Sequence, residues 1–245
     1  MVWVLTFSLT GCFFIKDDQA FLNNVTKSLK EKIVYGGNEN PDQMSDDEYN
    51  KHFLKATKKE LEILGNFEQY TFEDAELRSL AKDYFDMLEL QQSGKKNQIT
   101  IGWYRQIVLV DRLHEEYDLK GTGFENEWNH LLAQADQVRP MSDQYEMEQY
   151  LIKKMKFKLD DENSSGLLRT YNASCKNFTD TTFESIKIDV EFLDQNDNVI
   201  CNQSNMAIHL EPGDTEKLTF FFLLQDEKQK VDQIEVKSAN AIIKK

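Results

Sequence analysis

The spacing of apolar residues along the chain changes once, near residue 160. Before that point they recur every three or four positions, as on one face of a helix. Segment 71–93 shows this rhythm in Leu77, Leu80, Ala81, Tyr84, Phe85 and Leu88. From Leu167 onward apolar and polar residues alternate, as in a strand buried on one face. The pattern predicts an α+β protein with a helical domain over residues 12–159 and a β domain over 160–245.

The helical part is predicted to be a small bundle of amphipathic helices joined by short polar turns. Ser45 and Glu48 have the spacing of a capping box, and Gly65 is placed to end the helix that follows. Further helices are expected over residues 16–35, 71–93, 99–117 and 124–138, with a break at Pro140. Periodicity leaves residues 143–158 open between a helix and a strand.

The C-terminal part is predicted to contain short strands separated by strong turn signals. Asn196-Asp197-Asn198 and Pro212-Gly213-Asp214 are expected to be turns. The residues expected to face inward from the strands are Ile186, Ile188, Val190, Phe192, Met206, Ile208, Leu210, Leu218, Phe220, Phe222, Ile234 and Val236. Strands and turns at this spacing predict an antiparallel β-sandwich of immunoglobulin type.

Three runs in this region carry a family resemblance. They are 175–180 (CKNFTD), 190–194 (VEFLD) and 210–214 (LEPGD). Their order and spacing resemble the FxLYD-type domain, a small Ig-like β-sandwich of Gram-positive surface lipoproteins, over roughly residues 165–240. Val190, Phe192 and Leu193 stand where the family has Phe, Leu and Tyr, and Asp197 stands where its hairpin usually has Gly. The resemblance implies a fold and brings no catalytic residues, because the motif consists of turn and core positions.

The N-terminal run Leu9-Thr10-Gly11-Cys12 closes an apolar stretch that begins at Met1. It resembles a bacterial lipobox, which implies a signal peptide over residues 1–11 and a diacylated Cys12 at the extracytoplasmic membrane face. An alternative is a truncated signal anchor, because the stretch carries no Lys or Arg and is shorter than the roughly 20 residues that span a bilayer. A third interpretation is a cytosolic protein with a buried apolar N-terminal strand. Whether Met1 is the true start stays open.

The formal net charge of −14 argues against nucleic-acid binding, which depends on clustered Lys and Arg. It also disfavours electrostatic docking to an anionic membrane, so an anchor would be hydrophobic or covalent. If Cys12 is lipidated, Cys175 and Cys201 remain as a pair that could form a disulfide outside the cytoplasm. The alternative is two unpaired, buried thiols, because a bridge needs a close Cα separation.

No catalytic, metal or cofactor constellation stands out in the sequence. His114-Glu115-Glu116 resembles the start of a zinc-protease helix, but Asp118 occupies the place of the second His. Residues 194–198 (DQNDN) could offer oxygen ligands to calcium, although a turn explains them more simply.

The sequence therefore predicts a non-enzymatic binding or spacing module, with a protein partner at the cell envelope and a lipid anchor in the membrane. Two alternatives belong to other functional classes. One is an envelope hydrolase with acidic residues gathered near Asp111 and His114. The other is a solute-binding lipoprotein with its ligand held between helices beside Trp103 or Trp128.

Overall fold

A computed structural model describes residues 17–37, 45–226 and 228–244. Over these residues the chain forms six α-helices followed by six β-strands, which confirms the predicted α+β class. It divides between Ala135 and Asp136 into two compact units, here called the helical unit and the C-terminal unit.

Four helices of the helical unit begin and end close to the predicted positions, whereas the helix predicted over residues 124–138 ends at Leu132, and residues 135–138 begin the next helix. At the N-terminus of the second helix, the Ser45 hydroxyl accepts the Glu48 N–H and the Glu48 carboxylate accepts the Ser45 N–H at 2.9 Å, confirming the capping box. Asp74 caps the third helix by accepting the N–H groups of Glu76 and Leu77. The helices are α1 (Asp18–Gly37), α2 (Asp46–Leu64), α3 (Ala75–Gln92), α4 (Lys96–Tyr117) and α5 (Glu125–Leu132), with a 3-10 turn at Phe67–Gln69.

The sixth helix, α6 (Ala135–Lys154), runs through Pro140, so the predicted break there is wrong. A proline removes one backbone donor, and here the rest of the helix is held by contacts with the strands. Met147 and Leu151 are fully buried in the core of the C-terminal unit. The Glu148 carboxylate accepts the Ala241 N–H at 3.0 Å. The helices give way to strands after Lys154, whereas the two units divide nineteen residues earlier, after Ala135, because α6 packs with the sheets.

The strands form two three-stranded sheets in which every neighbouring pair is antiparallel. The sheet orders are β1-β2-β5 and β4-β3-β6. Both sheets contribute to one apolar core, in which the Phe192 ring from the second sheet lies 4.6 Å from the Phe222 ring of the first. The strands are β1 (Phe157–Leu159), β2 (Leu168–Lys176), β3 (Phe183–Leu193), β4 (Val199–Leu210), β5 (Thr215–Leu223) and β6 (Gln233–Ile243).

Strand β4 departs from the predicted alternation. Met206 and Ile208 are 49% and 60% exposed, while Ala207 and Leu210 are buried. The backbone at His209 adopts a left-handed φ of 53°, which changes the face of the strand between Ile208 and Leu210. The predicted inward positions of Met206 and Ile208 are therefore wrong, and that of Leu210 is confirmed.

Candidate functional site

The helical unit encloses a cluster of polar side chains between α1, α2, α3 and α4. We call it the buried polar cluster. Each member is at most 3% exposed, although most such side chains lie on protein surfaces. Its members are Lys32, Thr57, Glu60, Tyr84, Gln91 and Gln106.

Lys32 is the centre of this cluster. Its ammonium group donates to Glu60 Oε2 at 2.8 Å, Gln91 Oε1 at 2.6 Å and Gln106 Oε1 at 2.7 Å. These contacts match the three donors of a lysine ammonium. The rings of Phe53 and Trp103 also lie near Nζ, at 4.9 Å and 5.5 Å from their centroids.

Glu60 is bonded through both carboxylate oxygens. Oε1 accepts the Tyr84 hydroxyl at 2.5 Å and Gln106 Nε2 at 2.6 Å, while Oε2 accepts Lys32. Thr57 donates to Gln91 Oε1 at 3.1 Å, which joins α2 to α3 a second time. Within the described part of the chain, no buried side-chain nitrogen or oxygen lacks a partner. The cluster is thus internally satisfied and orders four helices rather than offering free groups to a substrate.

Burial governs the electrostatics of the cluster. Desolvation lowers the pKa of Lys32, and the adjacent Glu60 carboxylate opposes that shift. Desolvation also raises the pKa of Tyr84 well above its usual value, and the negative charge of Glu60 adds to the shift. Gly102 allows α4 to approach α3 here, because an added Cβ would lie 2.6 Å from Gln91 Cγ.

In the C-terminal unit, two of the runs that resemble the FxLYD pattern meet at Asn177, which is fully buried. The Asn177 N–H donates to the Asp214 carbonyl and its carbonyl accepts the Gly213 N–H, both at 2.9 Å. Its side-chain amide donates to the carbonyls of Thr181 and Leu210, and its side-chain oxygen accepts from Thr179. These motif residues hold a loop and a turn together, which is a structural role.

The three cysteines considered for anchoring and disulfide formation lie in different surroundings. Cys12 lies outside the described residues. Cys175 on β2 is buried, Cys201 on β4 is partly buried, and both are free thiols on strands of different sheets. Burial, with Glu216 as a secondary cause, raises the pKa of the Cys175 thiol to about 12, which makes it a weak nucleophile at neutral pH. No helix among the described residues is long and apolar enough to cross a bilayer.

Of the two positions considered for hydrolase chemistry, Asp111 and His114, the second contributes to the fold of the helical unit. His114 Nδ1 lies 2.8 Å from the Leu119 carbonyl oxygen, beyond the end of α4. The His114 ring also packs edge-to-face with Trp128, which is buried and contacts Phe124 in the same way. Trp128 therefore belongs to the core of the helical unit. In the described ranges, His, Cys, Asp and Glu form no group of three suited to a metal ion.

Residues 194–198 form the predicted turn between β3 and β4. Asp194 Oδ1 accepts the N–H groups of Asn196 and Asn198 at 2.8 and 3.0 Å, and these bonds lower the pKa of its carboxyl group. Asp197 has a left-handed φ of 60°, a conformation that Asp tolerates better than most residues. The carboxylate considered as a calcium ligand is thus engaged in ordering the turn.

Trp103, in contrast to Trp128, borders a groove of about 370 Å³, which we call the Trp103 groove. Its wall combines the apolar side chains of Ile33, Trp103 and Leu131 with polar side chains from α5 and the residues after it. The lining residues are Ile33, Trp103, Asn126, Glu127, His130, Leu131 and Gln134. The structure therefore brings one of the two tryptophans considered for solute binding to a concave surface.

Comparisons with known protein families and with curated protein sequences find no match for this chain. The resemblance to the FxLYD-type domain and to a lipobox thus continues to rest on the residues quoted for it.

We expect substitution of Lys32 by Met to destabilise the helical unit by about 3–5 kcal/mol, because Glu60 is left buried without its counter-ion. The double substitution Lys32→Met with Glu60→Gln should recover at least half of that loss. Urea unfolding followed by circular dichroism measures both values. The exposed pair Lys82 and Asp86, 2.6 Å apart, provides the matched control, for which we expect changes below about 1 kcal/mol. Strictly additive losses in the Lys32 and Glu60 variants would contradict the role of the ion pair.

Substitution of Asn177 by Ala should destabilise the C-terminal unit by about 3 kcal/mol or more, since it leaves buried backbone groups of Thr181, Leu210 and Thr179 without partners. Asn177→Asp keeps the acceptor but places a buried carboxylate against the carbonyl oxygens of Thr181 and Leu210, so its effect should be at least as large as that of alanine. Equilibrium unfolding measures the change. The exposed Asn196→Ala is the control, with an expected effect below about 1 kcal/mol. Equal effects of the Asn177 and Asn196 substitutions would show that the buried side chain does not hold this junction.

Proposed function

We propose that this protein is a lipid-anchored, extracytoplasmic binding module of a Gram-positive cell envelope. In this proposal Cys12 carries the lipid and the C-terminal unit is an Ig-like sandwich of FxLYD type that offers a surface to a protein partner. The lipobox-like run supports the first part. The two antiparallel sheets around one core, and the junction at Asn177, support the second.

The observation that carries the partner-binding role is the exposure of two large apolar side chains on β5. Phe221 and Leu223 are 65% and 71% exposed, and they alternate with the buried Phe220 and Phe222. They therefore project from the outward face of the sheet. Strand β5 is also at the end of its sheet order, so this surface lies at a sheet edge. Adjacent exposed apolar side chains are typical of protein-interaction surfaces.

The outward face of the other sheet has a second apolar group. Ile208 on β4 and Ile242 on β6 both pair in register with Ser185 on the central strand, and each is more than half exposed. Met206 lies two residues before Ile208 on the same face of β4. This group provides an internal comparison for the β5 surface, because it is apolar and lies on the opposite sheet.

His114, one of the two positions considered for the hydrolase alternative, gives it no support, because its ring is engaged with a backbone carbonyl and Trp128. The solute-binding alternative is favoured by one observation, the Trp103 groove.

Anchoring is tested by the intact mass of the protein from the membrane fraction of a Gram-positive host. We expect wild type to have lost residues 1–11 and to carry a diacylglyceryl group. The Cys12→Ala variant should retain its N-terminal residues and lack that mass. An unprocessed wild-type chain with the mass of its translated sequence would contradict lipidation.

Partner binding is tested with a photo-crosslinking amino acid placed at position 221, 208 or 197 in cells. Position 197 lies at the tip of the exposed β3–β4 turn and is the control. We expect one specific protein adduct at 221 that is weak or missing at 197. The purified adduct partner should then bind the Phe221→Ser/Leu223→Ser variant at least tenfold more weakly than wild type. Equal crosslinking at 221 and 197 would refute this surface, and a strong adduct at 208 alone would move the interaction to the other sheet.

A further inference from the structure

The Trp103 groove lies in the helical unit and is distinct from the β5 surface. Its volume of about 370 Å³ falls at the small end of the range of roughly 300–1,000 Å³ for ligand sites. Helices α1 and α4 contribute Ile33 and Trp103, and α5 contributes Glu127 and Leu131. Leu131 is buried, whereas Ile33 and Trp103 are partly exposed, so the apolar wall has both a fixed base and an accessible surface.

Trp103 is held in place from within the helical unit. Its ring meets Phe53 edge-to-face with centroids 5.9 Å apart, and its centroid lies 5.5 Å from Lys32 Nζ. The buried polar cluster thus contacts, through Lys32, the Trp103 ring that forms one wall of the groove. A side chain fixed in this way loses little conformational entropy when a ligand packs against it, which favours binding.

The charge of the lining selects the kind of ligand. Among the described residues that line the groove, Glu127 is the one acidic side chain, and none is Lys or Arg. Asn126, His130 and Gln134 add hydrogen-bonding groups to the lining. The positive charge of Lys32 is balanced by Glu60 at 2.8 Å. The groove is therefore suited to a cation and disfavours an anion.

An aromatic ring beside a carboxylate and an apolar wall is the combination that proteins use for ammonium groups attached to apolar bodies. The carboxylate attracts the positive charge, while the Trp103 ring and the apolar wall cover the carbon skeleton. Strongly hydrated inorganic cations would gain little here, because the groove offers a single carboxylate and an apolar wall.

We propose that the Trp103 groove binds a small organic cation, an alkyl- or arylammonium with an apolar body. The proposal deepens the solute-binding alternative and does not depend on Cys12 or on the β5 surface. Its failure would leave the proposed envelope binding module untouched, since that function is tested on other residues.

The full chain is titrated with benzyltrimethylammonium, and benzyl alcohol and phenylacetate serve as the neutral and anionic probes. Binding is followed by calorimetry and by the indole Nε1–H signal of Trp103 in ¹H–¹⁵N spectra, assigned with Trp103→Phe. We expect saturable binding of the cation, a shift of the Trp103 signal, and at least tenfold weaker binding of phenylacetate. No saturable binding, or phenylacetate binding as tight as the cation, would overturn the proposal.

Two pairs of variants identify the binding determinants. Glu127→Gln should weaken binding of the cation three- to tenfold and change the affinity for benzyl alcohol by less than twofold. Glu62→Gln makes the same charge change at an exposed position of α2 outside the lining and should leave both affinities unchanged. Trp103→Leu should weaken binding of the cation at least tenfold, whereas Trp103→Phe should keep part of that affinity. Equal effects of Glu127→Gln and Glu62→Gln would refute the site even if Trp103→Leu fails to fold.

Discussion

The helical unit depends on the ion pair between Lys32 and Glu60. Moving either charge from water into this core would cost several kcal/mol without the other, so packings that separate them are strongly disfavoured. The arrangement that satisfies both charges also requires Gln91 and Gln106, which bring α3 and α4 into the same set of contacts. A buried ion pair of this kind contributes little net stability relative to an apolar core. Its physical effect here is to select one register for four helices.

The C-terminal unit uses a comparable constraint without charge. Asn177 is fully buried and bonds to backbone groups on both sides of the junction between the β2–β3 loop and the β4–β5 turn. The apolar core between the sheets could tolerate a range of side chains of similar volume. The polar junction at Asn177 could not tolerate such replacements, because each of its backbone groups needs a hydrogen-bond partner in a fixed direction. In both units a small polar set defines the geometry and the apolar residues supply most of the burial.

Local signals explain why much of the fold could be predicted. The capping box at Ser45 and the alternation around Ile186 involve neighbours within a few residues, so sequence spacing alone determines the outcome. Pro140 and Ile208 show where this reasoning ends. The helix continues through Pro140 because distant strands hold α6, and Leu210 faces inward, unlike Met206 and Ile208, because His209 between them takes a left-handed conformation. The spacing of neighbouring residues shows neither the packing of α6 on the strands nor the backbone conformation of His209.

The buried polar cluster was missed for a related reason. Lys and Glu are among the residues least often buried, and spacing does not show that two of them will meet. One signal was present: Glu60 occupies the position seven after Phe53 and four before Leu64, on the same face of α2. A charged residue in an apolar stripe indicates a buried partner elsewhere in the chain. Identifying Lys32 as that partner required the packing of α1 against α2.

The position of Trp103 connects the core of the helical unit to its surface. Its ring contacts Phe53 and approaches Lys32 on the side of the core, and the same residue borders the groove. Because well-packed interiors transmit small displacements rather than absorb them, any rearrangement of the Lys32–Glu60 pair would also move this wall. A buried ion pair that need never contact a ligand therefore helps to position one wall of the groove. Sequence reasoning could name Trp103 as a candidate, but only the packing around Lys32 explains why its ring is held there.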